Sequence, residues 1–228
     1  MMRGKSMKIV IVNGSPRKNG ATAYILHELE KCLVTQGAEV FFYNLSDQKI
    51  AICTGCGVCY KLGNCVINDD AEQISAVISK ADGIIIGSST MESNVSGLLK
   101  VFMDRGHFVI EQLLKDKYAI AVATYENYGG GNTAKVIKSL LSLSGAKICG
   151  IVCKKIPFNS NYASDTALKE KSNKMAIHIY QDIKRRKKYP VQKLKQRITF
   201  EVGIKPFVIK KGKSYEGVLK RWKSIGLL

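Results

Sequence analysis

The stretch "KIVIVNGSPRKNGAT", Lys8 to Thr22, decides how the rest of the chain is read. Ile9–Val12 is an unbroken apolar run of strand length, the pattern of a strand covered on both faces. The chain leaves it through Gly, Ser, Pro, Arg, Lys, Asn and Gly, then takes up a helical rhythm near Ala21. In open α/β sheets, ligands sit beyond the carboxyl ends of the strands, which is where this loop lies. Gly14 and Gly20 allow tight turns, Ser15 and Thr22 carry hydroxyls, and Arg17 is a forked cation. The helix start offers free N–H groups to an anion, so the loop is expected to hold a phosphate. Two familiar phosphate loops do not fit. A Walker A loop has four residues between its glycines and then Lys-Ser/Thr, whereas five separate Gly14 from Gly20 and Ala21-Thr22 follow. The dinucleotide fingerprint Gly-x-Gly fails at Pro16. Taken alone, the loop reads equally well as a surface turn.

Outward from this loop, short apolar runs alternate with helical patterns. The runs are "AEVFFYNL" (38–45), "DGIIIGSS" (82–89), "KYAIAVAT" (117–124) and "AKICGIVC" (146–153), and the last helix is expected from about Asp165 to Lys188. Five strands separated by helices predict right-handed βαβ units and a three-layer α/β fold around a parallel sheet. Strand three ends in "GSSTMESNVSGLLKVFMDR", whose loop can lie along a flat ring, with Asn94 or Ser96 capping the next helix. Strand four ends in "TYENYGGGNT", where three glycines permit close backbone approach and Tyr125 or Tyr128 can stack on a ring. Each loop alone is an ordinary βα connection. Three of them at the ends of strands one, three and four form a constellation.

Seven cysteines are present, four of them within the thirteen residues from Cys53 to Cys65. Cys53, Cys56, Cys59 and Cys65 give C-x2-C-x2-C-x5-C, and Gly55, Gly57 and Gly63 ease a tight wrap. Such clustering indicates metal or redox chemistry rather than a disulfide framework. Three readings stand: a [4Fe-4S] cluster, a structural zinc ion, or free redox-active thiols. Cys32, Cys149 and Cys153 fall on helix or strand patterns and read as small hydrophobes. His27, His107 and His178 read as surface or packing residues, and Asp104-Arg105 as a structural ion pair.

In order and spacing, "GSPRKNGAT", "STMESNVSGLLKVFMDR" and "YENYGGG" resemble the NADPH-dependent FMN reductase group of the flavodoxin-like fold. "CTGCGVCYKLGNCVINDD" is similar to the branch that includes iron–sulfur flavoproteins. The resemblance covers roughly Met7 to Lys155, and the tail loosely. It implies a doubly wound five-stranded parallel sheet in the order 2-1-3-4-5. It also implies FMN, with the phosphate on Ser15, Arg17, Asn19, Gly20, Ala21 and Thr22. The isoalloxazine would lie against Ser89, Thr90, Met91, Glu92 and Asn94 on one side, and Thr124, Tyr125, Gly129 and Gly130 on the other. The chain departs from the family where Ser89 and Met91 replace a Pro and an aromatic residue, and where Ala21 replaces an Asn. The implied activity is transfer of electrons from NAD(P)H through FMN to a quinone, an aromatic compound or a protein acceptor, with the cysteine loop as a route. No general acid or base is assigned, because a flavin carries hydride chemistry itself. The alternative is a non-enzymatic flavin electron carrier or redox sensor. Family members often dimerise, so a homo-oligomer is expected.

The formal net charge of +18 is uneven. Lys184 to Leu228 holds 15 Lys/Arg against Glu201 and Glu216, a net +13, and the remaining residues 21 against 16, a net +5. We divide the chain into a flavodoxin-like domain at 7–188, containing the cysteine loop 53–65, and a basic extension at 189–228. The extension is expected to pack on the domain or a partner subunit through Phe207, Tyr215 and Trp222. Within it, "RITFEVG" and "KPFVIKKG" suggest short extended segments and "SYEGVLKRWKSIGLL" a helix. The basic run at 184–188 reads as a solvated helix end, with docking of NADPH or an acidic redox partner as a further role. Nucleic-acid binding is disfavoured because no recognised binding fold accompanies the charge. No apolar run nears the ~20 residues of a membrane span. The basic leader "MMRGKSM" has no cleavage site, so Met7 is the expected start, the protein is expected in the cytoplasm, and no membrane partner is foreseen.

Overall fold

Among the described residues, the strands are β1 (Lys8–Asn13), β2 (Glu39–Asn44), β3 (Gly83–Met91), β4 (Asn94–Val95), β5 (Tyr118–Tyr125) and β6 (Lys147–Lys155). Five of them are parallel, in the order β2-β1-β3-β5-β6. The remaining one, β4, is a two-residue antiparallel return on β3. Counting the parallel strands alone, the order is the flavodoxin-like 2-1-3-4-5 that the resemblance implies. The computed structural model describes residues 6–228, so Arg3 and Lys5 of the basic leader lie outside the described residues.

The continuous apolar runs arise because alternate residues of each strand enter different cores. Val10, Val12, Ile84, Ile86, Ala119 and Ala121 meet α3 (Asp70–Lys80), α4 (Gly97–Arg105) and α5 (Gly130–Leu143). Ile9, Ile11, Ile85, Ile120 and Val122 meet α1 (Ala21–Thr35) and α6 (Thr166–Lys184) on the opposite face. Each fully buried aliphatic side chain stabilises by about 1.5–3 kcal/mol, so these two layers carry the fold. The last long helix starts as expected, with Asp165 as its cap accepting from Leu168 N at 2.9 Å, and stops earlier, at Lys184.

The tail departs from expectation. "RITFEVG" and "KPFVIKKG" are helical: α7 (Pro190–Thr199) runs into a π turn at Phe200–Ile204 and on into α8 (Lys205–Lys211). The alternation Ile198, Phe200, Val202 mimics a strand, yet Phe200 is buried while Ile198 and Val202 are exposed. The row that turns inward is Gln192, Gln196, Phe200, Ile204 and Val208, spaced by four. A straight α-helix would rotate that row away from the body, and the wider π turn counters the drift. Gln192 covers the outer edge of β6, accepting from Ile148 N at 2.8 Å and donating to Ile148 O at 3.0 Å. Helix α9 (Glu216–Ser224) closes the tail over a third core of Phe200, Val208, Val218 and Trp222.

Candidate cofactor site and cysteine pocket

The tips of β1, β3 and β5 are neighbours in the sheet, and hydrogen bonds tie their loops together. Gly14 N donates to Gly87 O at 2.7 Å. A Cβ on Gly14 would lie 2.7 Å from Leu99 Cβ and 3.0 Å from Gly87 O, so glycine is required there. Ser96 caps α4 by accepting from Leu99 N at 3.1 Å, and its hydroxyl also donates to Gly14 O. Asn13 Oδ1 accepts from Ser15 N at 3.0 Å, and Ser15 Oγ accepts from Arg17 N at 3.3 Å. Thr22 and Thr124 join their hydroxyls at 2.6 Å. Helix α1 has Gly20 at its cap and no capping side chain, which leaves its first N–H groups open to an anion. Arg17 lies 5.1 Å over the Phe158 ring, and Tyr162 OH donates to Asn19 O at 2.8 Å.

The second loop opens with a tight hairpin. Strand β3 continues to Met91 and returns at Asn94 through Glu92 and Ser93, with φ of 46° and 60°. A two-residue turn with both central φ positive favours Asn-Gly, so Glu-Ser holds it at a cost. Surrounding contacts impose it. Thr133 Oγ1 donates to Asn94 O at 2.9 Å, and Gly129 (φ 81°) lies so close that a Cβ would stand 2.6 Å from Ser93 Cα. Gly130 meets the Tyr125 ring in the same way. Ser89 Oγ, Thr90 Oγ1 and Glu126 Oε2 are buried here without a hydrogen-bond partner among the described residues. Polar atoms in that state mark places where a ligand or water completes the bonding. Ser15, Gly20, Thr22, Ser89, Thr124 and Gly130 are buried, Ala21, Thr90, Tyr125 and Gly129 half-buried, and Arg17, Asn19, Met91, Glu92 and Asn94 exposed. Ser96, one of the two expected caps, also joins the second loop to the first, and Glu126, inside the third loop, adds a buried polar group.

The four clustered cysteines line a second site, a cavity of ≈ 220 Å³ bordered by Tyr60, Arg105 and His107. Among the described residues, no three His, Cys, Asp or Glu side chains are close enough to share one metal ion. The chain reaches this arrangement through short helix α2 (Val58–Leu62), which begins and ends at left-handed glycines, Gly57 (φ 71°) and Gly63 (φ 86°). Arg105 does not pair with its neighbour Asp104, which is bound by Lys100 at 2.6 Å. Its guanidinium, 1% exposed, grips Asp69 at 2.7 and 3.0 Å and donates to Ala51 O at 2.9 Å and Ile67 O at 3.2 Å. It thereby staples both ends of the cysteine segment to α4. Burial raises the Asp69 pKa, but Arg105 and the N–H groups of Ala51 and Ala71 outweigh it and hold the carboxyl below its ordinary value. His107, expected as packing, faces the thiols and bonds Glu111 Oε1 at 2.8 Å. Burial lowers its pKa, and contacts with Cys59 and Glu111 more than reverse this, to about 10.

The tail braces one wall of the pocket from outside. Tyr215 stacks on Tyr60 with centroids 4.7 Å apart at 18°. A Cβ on Gly217 would lie 2.3 Å from Gly63 N, so two glycines let α9 seat on the end of α2. Trp222 is fully buried and donates to Ile110 O at 2.9 Å, while Arg221 Nε donates to Glu111 O at 2.9 Å, beside the Glu111–His107 pair. Outside the pocket, Cys149 has its thiol pushed up to about 12, chiefly by burial.

Residues 7–152 match the family model described as NADPH-dependent FMN reductase. An iron–sulfur flavoprotein of Clostridioides difficile is 38% identical over 226 residues, 97% of this chain and 100% of that protein. One from Methanocaldococcus jannaschii is 35% identical over 131 residues, 57% of this chain and 68% of that protein. A solved archaeal flavodoxin superposes with a TM-score of 0.54 at 16% identity, over 78% of this chain and 99% of that one, a likeness of fold. With its five-stranded order, its three joined loops and its cysteine pocket, the chain belongs to the NADPH-dependent FMN reductase family, on the iron–sulfur flavoprotein branch.

Proposed function

We propose that this protein is an FMN-dependent NAD(P)H oxidoreductase that delivers electrons to a quinone, an aromatic compound or a protein acceptor, with a [4Fe-4S] cluster on Cys53, Cys56, Cys59 and Cys65. The observation that carries the reading is the set of buried, unpartnered polar atoms, Ser89 Oγ, Thr90 Oγ1 and Glu126 Oε2, at the joined carboxyl ends of β3 and β5. Hydroxyls and a carboxylate in that position suit the polar edge of a flat heterocycle. The uncapped start of α1, with Ser15 and Arg17, suits its phosphate. FMN bound there would supply hydride acceptance and one-electron transfer. The chain's own groups bind and orient. Ser15, Thr22 and Arg17 hold the charged end, the Glu92–Ser93 hairpin and Gly129–Gly130 border the ring end, and Tyr125 excludes water from one edge.

Four thiols spread around ≈ 220 Å³ suit a cuboidal cluster better than zinc, whose ligands must converge at about 2.3 Å on one point. Arg105 and His107 stand beside the sulfurs, and hydrogen bonds from Val58 N–H and from Thr54 hold the Cys56 thiol below its ordinary pKa, which favours the thiolate that ligation needs. Anaerobic purification with iron and sulfide assays, followed by FMN titration and reduction, tests the reading. The expected result is a flavin band bleached by NADH or NADPH, with iron and sulfide in equal amounts. A protein that rejects FMN in titration overturns the flavin assignment, and zinc without sulfide overturns the cluster.

A further inference from the structure

The rod formed by α7, the π turn and α8 has two apolar rows, and the body uses one of them. The inner row ends in Phe200, Ile204 and Val208, packed in the third core. The outer row is Val191, Leu194, Ile198 and Val202, which are 67, 59, 54 and 74% exposed. Their spacing of three, four and four residues draws one stripe along a helix. At about 100° per residue, Arg197 falls on one flank of that stripe and Lys195 on the other, while Glu201, on the Arg197 side, is paired with Lys205 at 3.0 Å. Further along the rod, Ile209 is 53% exposed and lies beside Lys210 and Lys211.

An exposed apolar stripe bordered by cations on both sides is the arrangement of a helix lying flat in a lipid headgroup region. A second copy meeting this face about a twofold axis would set like charges against each other, since the tail carries a net +13. An acidic protein would answer the charge. An exposed apolar face spanning about 27 Å, from Val191 to Val202 and again at Ile209, with Arg197 and Lys195 at its borders, matches the boundary between anionic headgroups and acyl chains better. We propose that the outer face of α7 and α8 docks this protein on anionic lipid surfaces. No described helix is long and apolar enough to cross a membrane, so the attachment is peripheral. It amends the expectation of no membrane partner and does not depend on the flavin or cluster assignment.

Sedimentation of the full chain with vesicles tests it. The wild type should pellet with phosphatidylcholine–phosphatidylglycerol vesicles, stay in solution with phosphatidylcholine alone, and lose binding as salt rises. The double variant Leu194→Gln with Ile198→Gln keeps the charge and removes apolar surface at exposed positions. It should bind roughly tenfold more weakly, with an unchanged circular dichroism spectrum. Equal binding by wild type and variant would mean adsorption by charge alone and overturns the proposal, as does failure to pellet with anionic vesicles at low salt. Without lipid binding, a mass in solution that falls to a monomer in the variant would assign the stripe to a second copy. Retention of an acidic protein through Leu194 and Ile198, again without lipid binding, would assign it to that partner.

Discussion

The two sites of this protein are built on different principles. The loop cluster at the sheet end is held by groups that the strands themselves deliver. Gly14 lies against Gly87, Thr22 against Thr124, and Asn94 against Thr133, all at the ends of adjacent strands or the helices that follow them. The cysteine pocket rests on no strand. Its walls are a five-residue helix, an irregular segment and the end of α4, pinned by Asp69–Arg105 on one side and by α9 on the other. The first site therefore shares the stability of the sheet. The second has the stability of its braces, and perturbing a brace should cost the pocket while sparing the loops.

The strongest way to break this contrast is Trp222→Ala. Emptying a fully buried tryptophan site costs about 3–5 kcal/mol. For the cluster proposed above, iron retention against a chelator should collapse while FMN affinity stays within a few-fold; parallel loss of both would make the two sites one cooperative unit. Next comes Asp69→Asn, which leaves the buried Arg105 charge uncompensated at a cost of about 3 kcal/mol at neutral pH. The folded pKa of Asp69 lies below its unfolded value, so the stabilisation is present above that unfolded value and is lost as pH falls through the folded one. Denaturant unfolding should accordingly show the gap between wild type and variant shrinking below about pH 4.

A smaller effect is expected from Gly217→Ala. The new Cβ meets Gly63 backbone, which should cost about 1–3 kcal/mol and loosen α9 from α2, read as faster cluster loss with unchanged FMN binding. Ser96→Ala sharpens the contrast from the opposite side. It removes the cap of α4 and the tie to Gly14, costing about 1 kcal/mol, and should weaken FMN binding while leaving iron content alone. Smallest is a chemical distinction among thiols. With its thiol pushed up to about 12, Cys149 should be the slowest to alkylate near neutral pH, as mass spectrometry of modified peptides would register.

Much of the loop site could be read in the chain, because each of its parts follows a strand and is written in glycines and hydroxyls a few residues apart. The hairpin at Glu92–Ser93 could not. Neither residue favours positive φ, and the turn is held by Thr133 and Gly129 at the start of α5. Misreading the tail has a similar origin. Ile198, Phe200 and Val202 alternate as a strand would, and the choice between rows was made by the body, which accepted Phe200 and left the other two outside. Arg105 is the plainest case. Asp104 adjoins it in sequence, but helix geometry turns adjacent side chains about 100° apart, and Asp69 lay within reach once α3 had packed.

Hydrophobic period, glycine placement and cysteine spacing are local properties, and they suffice for the α/β class, the parallel core, the glycine-bounded loop after β1 and the presence of a thiol cluster. Packing alone determined which carboxylate neutralises Arg105, that His107 turns to the thiols, and that the tail braces the helix carrying Cys59. Those outcomes depend on groups far apart in the chain, whose pairing is worth its desolvation only after the hydrophobic layers have brought them into contact.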